Sequence, residues 1–190
     1  MLKWFCLIYS DGSYDYFAIS IIFLIVFPDA SHGLQVEFRR VTENGGSAVV
    51  NDVDVNADST DTFQVVCRIN NIGDLFKFTT IRVFRVQSNA NTTLAQMQNI
   101  DETATDTYRK PVLGNGVSGW TAVGEYTTNV RDSYVGVAKQ MSAMSCNDAV
   151  IYRCEVPYTT PGPAFASQTG VKDKTLSVQG NNCSPSKSKI

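Results

Sequence analysis

The segment NDVDVNADSTD, Asn51 to Asp61, places oxygen-bearing side chains at alternate positions, Asp52, Asp54, Asn56 and Asp58, as a calcium-binding loop does. An EF-hand loop also needs glycine at its sixth position and a bidentate glutamate at its twelfth. Counted from Asp52, those positions hold Ala57 and Phe63. The motif therefore fails, and no metal is expected. The segment reads instead as an edge strand with Val53 and Val55 inward and its acids outward, a pattern that discourages edge-to-edge pairing.

Nucleophilic chemistry fares no better. Serines and threonines are plentiful, but neither a GxSxG elbow nor an SxxK pair occurs, and the single histidine, His32, sits next to the N-terminal apolar run. Asp101 and Glu102 are adjacent, so on a strand they face opposite sides and cannot act as a carboxylate pair. No catalytic residue and no cofactor is expected.

That N-terminal run is FAISIIFLIVF, Phe17 to Phe27, an eleven-residue segment apolar but for Ser20 and closed by Pro28. It is short for a membrane span and suited to the core of a secretory signal. Small residues Ser31 and Gly33 then stand at the minus three and minus one positions of a cut before Leu34. Residues 1–33 are expected to be a signal peptide; an uncleaved membrane tether and a misplaced start codon are the alternatives. Removing Lys3 from 16 basic residues and Asp11, Asp15 and Asp29 from 18 acidic ones leaves 15 of each. A neutral chain has no long-range attraction to nucleic acid or acidic lipid. Neither nucleic-acid binding nor membrane insertion of the mature chain is expected.

Cys6 leaves with the signal, and Cys67, Cys146, Cys154 and Cys183 remain. An even set without a CxxC pair, in an exported chain, favours two disulfides over metal ligation. Two glycosylation acceptors fit the same compartment: Asn91 in NTT and Asn182 in NCS.

From Leu34 onward the chain alternates apolar and polar residues between Gly, Asn, Asp and Pro breaks, with no helical period. LQVEFRRV turns Leu34, Val36 and Phe38 inward, NGG at Asn44 to Gly46 is a turn, and TFQVVCRI aligns Phe63, Val65, Cys67 and Ile69. Phe78 to Val86 is a third strand, with Arg82 and Arg85 available to solvent. YVGVAKQM, VIYRCEV and TLSV supply later ones. Gln87 to Thr128 is rich in Asn, Thr, Gln, Asp and Gly and reads as a long, partly ordered insertion, with LAQMQNI as a short strand or a helical turn. These strands argue one all-β sandwich or barrel over residues 34–180, followed by a polar tail at 181–190.

In NDAVIYRCEVPY the even register of Val150, Tyr152, Cys154 and Val156 puts all four on one face. A tyrosine two residues before a strand-borne cysteine, with a second strand-borne cysteine at 67, resembles the variable-type domains of the immunoglobulin superfamily. The resemblance implies an immunoglobulin-like antiparallel β-sandwich with the polar insertion between strands C and E. It makes FQVVC strand B and VIYRC strand F, implies a Cys67–Cys154 bridge between the sheets, and makes Tyr152 the tyrosine of the corner, with Asp148 its acid and Met144 the apolar pin before it. A Cys146–Cys183 bridge at the base follows from the same topology, the competing reading being a homodimer linked through Cys183.

The chain also departs from the family pattern. Strand C carries IRVF in place of the family's tryptophan, so Ile81 or Val83 is expected to cover the disulfide, and Trp120 lies too far along to substitute simply. The family's arginine partner for the corner acid has no match, since Arg131 falls in the turn before strand E. The glycine bulge of antigen-receptor joining segments is missing after Cys154, which argues against an antibody or T-cell receptor chain. A fainter likeness is to the immunoglobulin domains of secreted invertebrate immune lectins.

The resemblance implies a secreted recognition or adhesion module, of immune type, that binds a protein or glycan ligand through its loops without catalysis. PYTTPGPAFASQTG, Pro157 to Gly170, joins strands F and G, and three prolines stiffen it. Tyr158 and Phe165 are its candidate binding anchors, or else fold back onto the sheet rim. The alternative function is an N-terminal fragment of a larger receptor or lectin, in which the domain is a spacer or dimerisation unit.

Overall fold

A computed structural model describes residues 33–55, 59–70, 75, 77–88, 90–99, 109–160, 166–180 and 183. Residues 1–32 of the signal segment, Asp101, Glu102, Phe165 and Asn182 lie outside them.

Alternation sets the strands. In β1 (Leu34–Val41), Leu34, Val36 and Phe38 are buried. A tight turn, in which the Thr42 N–H donates to the Gly46 carbonyl, the Gly45 N–H donates to the Thr42 carbonyl and Gly45 takes φ +80°, returns the chain as β2 (Ser47–Val50). Short β3 (Asp52–Asp54) buries Val53 and exposes both acids. Next come β4 (Thr62–Ile69), β5 (Lys77–Phe78) and β6 (Thr80–Gln87). Beyond them lie β7 (Ala90–Gln98), β8 (Val112–Leu113) and β9 (Thr121–Glu125). The chain closes with β10 (Tyr134–Gln140), β11 (Ile151–Thr159), β12 (Ser167–Thr175) and β13 (Ser177–Gln179).

Two antiparallel sheets result. One runs β2-β1-β4-β10-β9; the other runs β12-β11-β6-β7-β8, with β5 also on β11. In family letters these are A-B-E-D and G-F-C-C′-C″, the strand order of a variable-type immunoglobulin-like sandwich. The β2 hairpin adds to that plan, as does a parallel ladder of β3 with β13 that sets Val53 opposite Val178.

The polar stretch from Gln87 to Thr128 contributes three strands to these sheets, β7, β8 and β9. LAQMQ belongs to β7, so it is strand and not a helical turn. Opposite the junction of Val83 and Phe84 the register skips Leu94, and this bulge lets Leu94, Ala95 and Met97 all be buried. Asn91, Thr93, Gln96 and Gln98 of β7 take its outer positions, which is why the strand looks polar in sequence.

The core lies between the sheets. Phe63, Val65, Cys67 and Ile69 of β4 face Tyr152, Cys154 and Val156 of β11, and all seven are fully buried. Phe38 packs edge-on to Tyr152 with ring centroids 5.7 Å apart and lies 5.8 Å from Phe63. Each such aromatic pair adds about 0.5–1.5 kcal/mol to the area it buries. Ile81 and Val83, in the family's tryptophan region, are also buried, and Val83 stands directly across from Cys154.

Candidate functional site

The two ends of the sandwich are built differently. One end is closed by the connection from β10 to β11. There the second of two 3-10 turns, Cys146–Asp148, is capped by Ser145, whose backbone N–H donates to Asp148 Oδ2 at 2.9 Å and whose hydroxyl lies 3.2 Å from the same oxygen. The Tyr152 hydroxyl donates to the Asp148 carbonyl at 3.1 Å. Burial, reinforced by the Asp148 carboxylate and only partly offset by Arg85, pushes the Tyr152 phenol far above its usual range, so it remains a neutral donor. Met144 is buried beside this corner in the core.

The cation on the corner acid is Lys139, from the end of β10, 2.9 Å from Asp148 Oδ2. Sequence reasoning missed it because it sought an arginine nearer β9. Trp120 also serves the corner: its ring lies 6.4 Å from that of Tyr152 and 5.3 Å from the Lys139 ammonium. Arg85, expected in solvent, stands in register with inward-facing Tyr152 and donates to the Asn147 carbonyl. The alternation of β6 against β11 is unbroken, so Val83 and Arg85 turn inward while Arg82 and Phe84 turn outward; two arginines three residues apart cannot share a face of a strand.

Cys67 and Cys154 are bridged between the sheets with Cα atoms 5.2 Å apart. Cys146 and Cys183 are bridged at the corner end, Cα atoms 5.3 Å apart. In this arrangement Cys183 is bonded within its own chain, which leaves it no thiol for the interchain link considered as the competing reading.

At the other end β4 finishes, β11 finishes and β12 begins. A Cβ placed on Gly170 would meet both Leu34, the register partner of Ile69, and Tyr158, which ties these strand ends together. The residues that join β4 to β5, β7 to β8 and β11 to β12 start and finish here. Tyr158 is no exposed anchor, however. It is 3% exposed and its hydroxyl donates to Gln168 Oε1 at 2.9 Å. Its even register with Cys154 and Val156 turns it into the core, as the fold-back alternative anticipated.

The outer face of the second sheet carries ordered charge. Arg153 grips Asp173 with two bonds of 2.7 Å, which hold the Asp173 carboxyl below its ordinary range, and Arg82 lies 3.6 Å from Glu155. Exposed Ile151, Val171 and Val112 flank these pairs. The alternation of Ile151, Arg153 and Glu155 was the sequence signal for this face. Towards its β8 edge a groove of about 460 Å3 is lined by Asn91, Thr92, Thr93, Gln96, Val112 and Asn115, among others.

Among the described residues, no group of three or more His, Cys, Asp or Glu is placed to hold a metal ion, and no helix is long and apolar enough to cross a membrane. Asp52, from the calcium-like segment, accepts from Gln179 at 3.2 Å, and residues 56–58 lie outside the described ones.

No protein-family model matches the chain, and no curated protein matches it. Among solved structures, murine CRIg is similar over 77% of this chain and 98% of its own, with a TM-score of 0.45 and 9% identity. A chain from a structure described as the structural basis of T cell specificity and activation by the bacterial superantigen toxic shock syndrome toxin-1 is similar over 76% of this chain and 100% of its own. Its TM-score is 0.42 and its identity 11%. Neither likeness says what this chain binds.

Proposed function

We propose that the chain is a secreted recognition module, of immune or adhesive type, that binds a protein or glycan ligand without catalysis. The ligand meets the end of the sandwich opposite the tyrosine corner. The observation that supports this reading is the asymmetry of the ends. The corner, the Lys139–Asp148 pair and the Cys146–Cys183 bridge occupy one end, and three inter-strand connections start and finish at the other. Loops on a rigid sandwich are where this architecture carries binding.

Export follows from removal of residues 1–33, so the mature chain begins at Leu34, the first residue of β1. N-terminal sequencing of the exported product checks this, and a product that retains Met1 would restore the membrane-tether alternative.

Binding is tested by presenting the exported chain as a multimer to arrays of immobilised glycans and cell-surface proteins. Phe165→Ser is expected to weaken capture at least about tenfold, the loss of one good anchor, without changing the melting temperature. If Phe165→Ser leaves capture intact and Arg82→Glu abolishes it, binding belongs to the outer sheet face and not to the loops.

A further inference from the structure

We propose that Asn91 carries an N-linked glycan whose first sugars lie in the groove between β7 and β8. Two independent features coincide there. Asn91 opens the acceptor tripeptide Asn91-Thr92-Thr93, and the same three residues line the groove. Asn91 is exposed near the start of β7, and its register partner Val86 in turn faces Ile151, which places the acceptor on the outer face of the sheet.

The lining suits this occupant. Gln96 and Asn115 offer amides and Thr93 offers a hydroxyl, which are the donors and acceptors that sugar hydroxyl and acetamido groups need. Val112, 53% exposed and set opposite Gln96, supplies apolar surface for an acetyl methyl or a sugar ring face. The volume falls within the range of about 300–1,000 Å3 typical of small-ligand sites.

The modification balances simply. The Asn91 amide nitrogen attacks the anomeric carbon of an oligosaccharide carried on a polyisoprenyl pyrophosphate. The C–N bond forms, the C–O bond to phosphate breaks, the lipid pyrophosphate leaves, and the amide proton passes to a base of the transferase.

The placement has a structural consequence. β8 is a two-residue edge strand, and a glycan along the groove covers an edge that would otherwise invite another strand. Asn91 also lies towards the corner end, so the glycan leaves the opposite loops free. The inference does not depend on what those loops bind.

The test is export of the full chain from cells that N-glycosylate, followed by intact mass before and after enzymatic release of N-glycans. Asn91→Gln and Thr93→Ala are each expected to lose the same single glycan, and Asn182→Gln to keep it. Seating is read by backbone hydrogen exchange in the segment 112–116, expected to be about threefold or more slower before release than after. Enzymatic release acts on the wild-type protein, so this comparison survives even if a variant is not exported. A wild-type mass that differs from that of Asn91→Gln only by the methylene of the substitution would overturn the site. A full glycan with unchanged exchange at 112–116 would overturn the seating.

Discussion

The Lys139 ammonium lies 2.9 Å from the Asp148 carboxylate, with the two side chains only 14% and 4% exposed. The pair joins the end of β10, in one sheet, to the turn that feeds β11, in the other. Two desolvated charges at this separation depend on each other. Asp148→Asn leaves the ammonium facing the Trp120 ring without its counter-charge and is expected to cost about 3–5 kcal/mol. Lys139→Met leaves the carboxylate with its Ser145 partners, so about 3 kcal/mol is expected. Urea unfolding of both variants checks this; changes below about 1 kcal/mol would mean that the pair behaves as a solvated surface contact.

Tyr152 makes stability depend on alkaline pH. Its phenol is raised in the folded state, chiefly by burial, so the folded chain holds that proton more tightly than the unfolded chain does. The resulting stability is complete below the unfolded phenol's value near pH 10 and is lost as pH rises beyond it. Tyr152→Phe keeps the ring against Phe38 and Trp120 but loses the bond to Asp148, at a cost of about 1 kcal/mol at pH 7. The gap between wild type and variant in urea midpoint is expected to narrow between pH 9 and 11 on that same phenol value. A constant gap would show that Tyr152 does not titrate with unfolding.

The two bridges differ in access to reductant. Cys67 and Cys154 are fully buried, whereas Cys146 is exposed and Cys183 only half-buried. Thiol exchange needs contact with the attacking thiolate. Graded reduction followed by alkylation is expected to label Cys146 and Cys183 first, with the fold retained, and Cys67 and Cys154 only on unfolding. Simultaneous labelling of all four would contradict this order.

Much of the fold was legible because inward positions carry large apolar residues at strict alternation. Phe63, Val65, Cys67 and Ile69 are one example; Tyr152, Cys154 and Val156 are another. Asp148 and Met144 were placed by the resemblance to the immunoglobulin pattern, which fixes their offset to Tyr152. The strands between Gln87 and Thr128 were hidden, because β7 is polar on its outer face and its bulge at Leu94 breaks the period of two. Arg85 shares the inward parity of Val83, three residues from outward-facing Arg82, so the two arginines could not both face solvent. Lys139 was invisible as the partner of the acid because only the pairing of β10 with β4 brings its strand end to the corner. The groove beside Asn91 is likewise a product of sheet order, since Val112 and Gln96 meet only across the β7–β8 pair.

Peptide mapping of the exported chain under non-reducing conditions is the most direct test of a sandwich bridged at its centre and closed at one end within a single chain. The account predicts two linked pairs, Cys67 with Cys154 and Cys146 with Cys183, in a monomer without free thiols. Linkage of Cys67 to any other cysteine would contradict the sheet assignment. A covalent dimer that disappears in Cys183→Ser would contradict the closed end.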